Sequence, residues 1–220
     1  MGKLPSTIFV TPGNPLLMGA IPLSDGVNFS IFSRNATALS LCLYANSHDA
    51  KPTYEIALDP VKNKTGDIWH CHVLGLKADA LYLWRADGPF KPKLGHRFNM
   101  NLALVDPYAK ALTDGSWDLN GALAYDPDSP EADLSFSDKR DDALIPKCVV
   151  VDDEFDWEGD APLNYPLKDC VIYETHVRGL TRGLMGREAP EGLPSVAHPG
   201  TYRGVAEMIG YFKTLSITSL

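Results

Sequence analysis

The residues best suited to chemistry fall into a few groups, and each has a plainer use beside the chemical one. His70 and His72 stand two apart in Trp69-His70-Cys71-His72-Val73. On a β-strand that spacing puts both imidazoles on one face, where they can chelate a metal, while Cys71 points the other way. Nothing nearby supplies a third or fourth ligand, so two solvent-facing strand histidines and no metal are expected. The run from Asp152 to Asp160 is rich in carboxylates, yet an EF-hand register begun at Asp152 needs glycine where Trp157 stands. A solvated acidic loop is expected there.

Tyr173-Glu174-Thr175-His176-Val177-Arg178 offers more. At the carboxyl end of a parallel barrel strand, His176 and Arg178 would stand at the rim of a substrate cleft. An interior strand whose Glu174 pairs with a basic neighbour explains the same residues, and spacing does not separate the two readings. Trp69, Tyr82 and Trp84 form the last group. Sugar rings present flat C–H faces that stack on exposed aromatics, which makes these three a candidate glucan platform; the same rings equally suit a sandwich core. Gly179, Gly183 and Gly186 are followed by no GK[ST], no GxGxxG occurs, and no serine sits in a nucleophile elbow. Nucleotide binding and serine hydrolysis therefore lack support, and no cofactor is implied.

The chain that must position these groups has 220 residues, 45% hydrophobic and 22% charged, with a net charge of −8. That composition is globular, and its acidity makes nucleic acid or an anionic membrane a poor partner. Cys42, Cys71, Cys148 and Cys170 are widely spaced and form no CxxC pair. With no apolar signal segment at the N-terminus, they read as reduced thiols of a cytoplasmic protein, or a plastid one in a photosynthetic eukaryote. The sequons at Asn28, Asn35 and Asn63 then carry no meaning beyond turn and strand composition, and Met1-Gly2 lacks the second signal that stable acyl anchoring needs.

Over residues 1–110 apolar residues alternate with period two. Val27, Phe29 and Ile31 share one strand face and Asn28, Ser30 and Phe32 the other; Leu39, Leu41 and Leu43 repeat the pattern, with further runs around Ile56, Trp69 and Leu81. Turn sequences such as Asp25-Gly26 and Asp87-Gly88-Pro89 divide them. This predicts an antiparallel, Ig-like β-sandwich with Phe29, Ile31, Leu41 and Leu43 inside. Residues 111–165 hold Trp117, Tyr125 and Trp157 among polar residues and read as an ordered connector. In residues 166–220, a strand over 170–177 buried on both faces is followed by a Gly/Pro-rich loop. A helix over 205–215, capped by Thr201, and a strand opening at Ile217 complete the segment. That is one βαβ unit.

The order of these segments resembles a known family. Asp25-Gly26-Val27-Asn28-Phe29-Ser30-Ile31-Phe32 looks like the opening of the glycogen-binding-type module that precedes many α-amylase-superfamily barrels. The stretches YLWRADG from Tyr82, His96-Arg97-Phe98-Asn99 and Asp106-Pro107-Tyr108-Ala109-Lys110 are similar to isoamylases and bacterial glycogen debranching enzymes. So are Phe155-Asp156-Trp157-Glu158-Gly159-Asp160, VIYETHVRGLT from Val171, and His198-Pro199-Gly200-Thr201-Tyr202, while the loop 183–195 has no obvious counterpart. The resemblance implies a mainly β chain: a sandwich, then the first strand and helix of a truncated (β/α)8 barrel, from an enzyme hydrolysing α-1,6 branch linkages. In that superfamily the catalytic carboxylates arise near later barrel strands, so no catalytic residue is assigned here and the 220 residues are expected to be inactive alone. The expected partner is glycogen or a related α-glucan, with further chains bound through the incomplete barrel. The alternative is a non-catalytic glucan-binding module.

Overall fold

Period-two alternation builds twelve strands among the described residues of the computed structural model, which are 4–113, 122–186, 188 and 191–220. In chain order they are β1 (Phe9–Thr11), β2 (Gly19–Leu23), β3 (Gly26–Phe32), β4 (Ala38–Tyr44), β5 (Tyr54–Ala57) and β6 (Lys64–Thr65). The remainder are β7 (Ile68–Leu74), β8 (Leu81–Asp87), β9 (Phe90–Lys91), β10 (His96–Arg97), β11 (Ala111–Leu112) and β12 (Cys148–Val149). One sheet runs β1-β7-β3-β2, with β6 also on β7; the other runs β11-β12-β8-β4-β5, and β9 and β10 form a separate ribbon. Every pairing is antiparallel.

The facing surfaces match the predicted alternation. In the first sheet Val27, Phe29 and Ile31 lie opposite Val73, Cys71 and Trp69. In the second, Leu39, Leu41 and Leu43 lie opposite Ala86, Trp84 and Tyr82. The Phe29 ring meets Tyr82 and Trp84 edge-on across the layer, at 5.1 and 6.3 Å between centroids. Such edge-to-face contacts add to the stabilisation from burial itself. Ile31 is only half-buried, at the margin of this core.

The outward faces correct the sequence-based expectation. His70 and His72 are buried rather than solvent-facing, as are Asn28 and Ser30 beside them on β3. Residues 13–18 cross this face and bond to it: Asn28 Nδ2 donates to the carbonyls of Asn14 and Leu17, and Ser30 Oγ donates to Pro15 O. The outer face of the second sheet is likewise covered, with Ser40, Cys42, Tyr44 and Arg85 buried. Alternation reports which side chains are apolar; buried polar residues on the other face are compatible with it once loops satisfy their hydrogen bonds.

The cover of the second sheet comes from residues 99–101 and 142–147. Arg85 Nη2 donates to both oxygens of Asp142, at 2.6 and 2.7 Å, and Tyr44 Oη donates to the same carboxylate at 2.8 Å. Arg85 Nη1 donates to the carbonyls of Met100 and Asn101. Strands β11 and β12 join the same sheet, so the sandwich draws on residues beyond 110. The chain divides into two units, Met1–Glu154 and Phe155–Leu220. Trp117 of the expected connector lies outside the described residues.

The second unit departs further from expectation. Val171, Ile172 and Tyr173 are exposed. One parallel bridge joins Ile172 to Ser219, and helix α1 (Val177–Arg182) begins where the strand was expected to end. A strand buried on both faces needs partners along both edges and cover on both sides; among the described residues this segment has one partner. The expected helix over 205–215 is two, α2 (Tyr202–Glu207) and α3 (Ile209–Thr214), with Met208 at the joint. Its apolar face is half closed within the chain. Met208 and Phe212 are buried, and the Phe212 ring lies 5.8 Å from that of Tyr173, whereas Ile209 and Leu215 are exposed.

Because Phe29 is fully buried between two sheets, Phe29→Ala is expected to cost roughly 3–5 kcal/mol and lower the melting temperature clearly. A change of less than about 1 kcal/mol in a urea titration would contradict this account of the core.

Candidate functional site

The expected aromatic platform is not at the surface. Trp69, Tyr82 and Trp84 are each 1% exposed and form part of the core, so the three do not make an exposed stacking platform. Their polar atoms are matched internally. Trp69 Nε1 donates to Ser33 O; Tyr82 Oη and Trp84 Nε1 donate to one carboxylate oxygen of the buried Asp106, at 3.0 and 3.2 Å. The other oxygen of Asp106 accepts the amide of Tyr108. Burial, together with the Asp106 charge, pushes the Tyr82 hydroxyl well above its ordinary range, which keeps it a donor.

Beside this group a cavity of about 400 Å³ opens at the end of the sandwich, where β3, β4 and β8 meet residues 97–107. Ile31, Leu39, Trp84 and Leu104 form apolar walls; Ser33, Arg97 and Asn99 bring polar atoms. Arg97 pairs with Asp133 at 2.8 Å, and Asn99 Nδ2 donates to the carbonyls of Ala124 and Ser137, so both are fixed in place. Phe32 lines the same cavity and is 52% exposed, with the Arg34 guanidinium 5.9 Å from its ring centre. An apolar concavity with a few placed polar groups is the usual form of a small-molecule site. Phe32 did leave a trace in the sequence. It is an aromatic on the strand face that otherwise carries Asn28 and Ser30.

Three thiols are excluded from chemistry here. Burial pushes Cys42, Cys71 and Cys148 up to about 12, so they stay protonated and act as packing groups. The acidic run 152–160 is exposed, as expected, and Asp153 pairs with Lys110.

In the second unit the motif residues form a local scaffold. His176 is the N-cap of α1, its Nδ1 accepting the Gly179 amide at 3.1 Å, and Arg178 is exposed on the same helix. Thr181, fully buried, accepts the Gly200 amide through Oγ1 at 2.7 Å. Thr201 caps α2 through Gly204, and a Cβ at Gly204 would collide with the carbonyl of His198. His198 Nδ1 lies 2.5 Å from Glu207, and that hydrogen bond holds the Glu207 carboxyl below its ordinary range. His176 and Arg178 are therefore close in sequence and exposed, and Glu174 is exposed beside them. Part of the loop 183–195, residues 187, 189 and 190, lies outside the described residues.

Known proteins share features with both the sandwich and the C-terminal segment. Residues 17–109 match the carbohydrate-binding module 48 family, described as the isoamylase N-terminal domain. The chain is 39% identical over 218 residues to Isoamylase 1, chloroplastic, of Arabidopsis thaliana, and 40% identical over 214 residues to a glycogen debranching enzyme of Yersinia enterocolitica. Each alignment takes in 96% of this chain but only 25% and 29% of those proteins. Among solved structures, a Paenibacillus barengoltzii pullulanase in complex with maltohexaose and alpha-cyclodextrin aligns at TM-score 0.57 and 20% identity, over 91% of this chain and 26% of that one. The Group B Streptococcus pullulanase SAP aligns at 0.56 and 21%, over 94% of this chain and 23% of that one. At such identity these structures bear on the fold alone.

Asp106 is the post on which the cavity wall stands. Asp106→Ala orphans the Tyr82 and Trp84 donors, each costing about 1–3 kcal/mol, and is expected to shift Trp84 fluorescence as well as stability. An unchanged emission spectrum and unfolding midpoint would contradict this role.

Proposed function

We propose that this chain, whose residues 17–109 belong to the carbohydrate-binding module 48 family, is the N-terminal region of a glycoside hydrolase that removes α-1,6-linked branches from glycogen or a related α-glucan. The observation that carries the reading is collinearity. The likeness to isoamylase and glycogen debranching enzymes, at 39–40% identity, extends past the sandwich through 96% of the chain. A free-standing module would need to match only over residues 17–109. The setting is the cytoplasm, or a plastid in a photosynthetic eukaryote; among the described residues no helix is long and apolar enough to cross a membrane.

Branch hydrolysis by the usual route requires two carboxyl groups, about 5–5.5 Å apart in a retaining enzyme. Over residues 170–177 there is one, Glu174, and it is exposed. In this reading His176 and Arg178 contribute to the rim of the cleft, and the carboxylate pair comes from sequence beyond residue 220. Further chain, covalent or in trans, covers Val171, Ile172, Ile209 and Leu215. The second reading, a glucan-binding module without catalysis, is favoured by the family match to the sandwich. The coding sequence downstream of Leu220 separates them: continued barrel sequence supports the hydrolase, an immediate stop the module.

In both readings the sandwich contacts glucan at the cavity edged by Phe32. The apolar walls suit C–H faces of glucosyl rings, and Ser33, Arg97 and Asn99 lie within the same lining. Affinity electrophoresis in glycogen is expected to retard the wild-type chain. Phe32→Ala should restore free mobility with an unaltered melting temperature, because Phe32 is half exposed. Unretarded wild-type protein would overturn glucan binding, and retardation undiminished in Phe32→Ala would overturn this site. The 220-residue protein is expected to release no reducing ends from glycogen or pullulan; turnover that survives Glu174→Gln would show that these residues already hold the carboxyl groups hydrolysis needs.

A further inference from the structure

The order β1-β7-β3-β2 forces residues 12–18 to cross the sheet. β1 and β2 are its opposite edges, three strand spacings apart, or about 14 Å. The crossing passes over a square of four buried polar side chains, since Asn28 pairs with His72 and Ser30 with His70 on adjacent strands. The strap is bound closely. The Asn14 amide donates to Asn28 Oδ1 at 2.6 Å, Asn28 Nδ2 returns two hydrogen bonds, and Ser30 Oγ donates to Pro15 O at 3.2 Å. A Cβ on Gly13 would lie 2.6 Å from Asn28 Oδ1 and 2.7 Å from the Cys71 carbonyl group, so only glycine fits there.

One of these attachments depends on protonation. The Gly13 amide donates to His70 Nδ1 at 3.1 Å, which requires that nitrogen to be bare. The proton of the neutral ring is then on Nε2, 3.0 Å from Thr65 Oγ1, and donates to it. A second proton has one place to go, Nδ1, where it would face the Gly13 N–H. We propose that His70 is an acid-sensitive latch: protonation of Nδ1 removes the acceptor for Gly13 and releases residues 13–18 from the sheet, opening the Asn28–Ser30–His70–His72 square to solvent.

The surroundings offer the charged ring no compensation. On β3 its neighbours Asn28 and Ser30 are neutral, the strap itself carries no titratable group, and β6 contributes neutral Thr65 along with Lys64, whose ammonium lies over the Trp69 ring. Asp25 Oδ1 lies 3.1 Å from His72 Nε2, whereas among the described residues no carboxylate pairs with His70. Burial lowers the His70 titration below the ordinary 6.5. The closed strap therefore binds fewer protons than the open one in that range. Its stability is complete above about pH 6.5 and declines as the pH falls toward the lowered value.

Hydrogen exchange at about pH 7.5 and about pH 5.5, on either side of the ordinary histidine range, tests this in the full chain after correction for intrinsic rates. Protection of the Gly13 and Leu17 amides is expected to fall roughly 2- to 10-fold at the lower pH, as for loss of one net hydrogen bond. Amides of β3 and β7 should not change. His70→Gln keeps an acceptor that does not titrate and should abolish the pH dependence; His72→Gln should retain it. Gly13→Ala, which leaves His70 intact, should expose the strap equally at both pH values. Equal wild-type protection at both pH values, or pH dependence persisting in His70→Gln, would overturn the latch. So would pH dependence persisting in Gly13→Ala.

Discussion

The carboxylate of Asp142 holds the greatest share of this structure together. It is 1% exposed and receives Arg85 and Tyr44, both buried, while Lys147, also buried, donates to the Asp142 and Ile145 carbonyls and lies 4.7 Å from the Tyr44 ring centre. Two buried cations thus meet at one residue, Arg85 on the Asp142 carboxylate and Lys147 on the Asp142 backbone carbonyl. Burial lowers the Lys147 titration, with Asp142 opposing it; for Arg85, burial is the largest single influence, but Asp142, Cys42 and Tyr44 together outweigh it and the net shift is upward. The excess positive charge is met by backbone carbonyls of Met100, Asn101 and Ile145. Such a cluster gains little over a well-packed apolar one, but loss of a partner strands a buried charge at several kcal/mol. Its worth here lies in position. It couples β4, β8 and residues 99–101 and 142–147, so the second sheet and its cover are ordered together.

That coupling has a consequence for where a ligand can bind. Residues 99–101 and 142–147 cover Ser40, Tyr44 and Arg85 on the outer face of one sheet, and the strap 13–18 covers Asn28 and Ser30 on that of the other. At the cavity Phe32 is half exposed, and Asp106 accepts hydrogen bonds from Tyr82 and Trp84 behind the wall. In the proposed glucan-binding reading, recognition takes place at this cavity rather than on a broad sheet face.

The inward half of the sandwich was legible in the sequence because it obeys a single rule. Val27, Phe29, Leu41 and Leu43 recur at every second position on their strands, and the rule needs only local information. The outward half obeys none. His70 and His72 read as surface residues because their partners, Gly13 and Asp25, lie far off in sequence and are a backbone amide and a common turn carboxylate. Likewise Arg85 within Leu81-Tyr82-Leu83-Trp84-Arg85 gives no sign that its partner is Asp142, 57 residues on. Aromatic platforms were misplaced for a related reason: composition cannot distinguish a tryptophan that stacks on sugar from one that packs on Phe29. Phe32 was the readable exception, an apolar residue out of phase.

In the second unit family-like motifs are dense and a catalytic role is tempting. Several motif residues have a structural duty visible in this chain alone: His176 caps α1, Thr181 anchors Gly200, Thr201 caps α2 and Glu207 gathers the 197–198 amides with the His198 ring. These bonds are short-range in space and close a turn–helix scaffold around Thr181 and Gly204. They leave Val171, Ile172 and Ile209 exposed. A strand segment held by one parallel bridge gains its register from Tyr173 N–H donating to Ser219 O and Thr218 N–H donating to Val171 O. Local capping and that register set the direction in which the segment presents Glu174, His176 and Arg178, before any further element is added. In the proposed hydrolase this scaffold is what orients the cleft rim, and the carboxyl groups that break the bond are others than these.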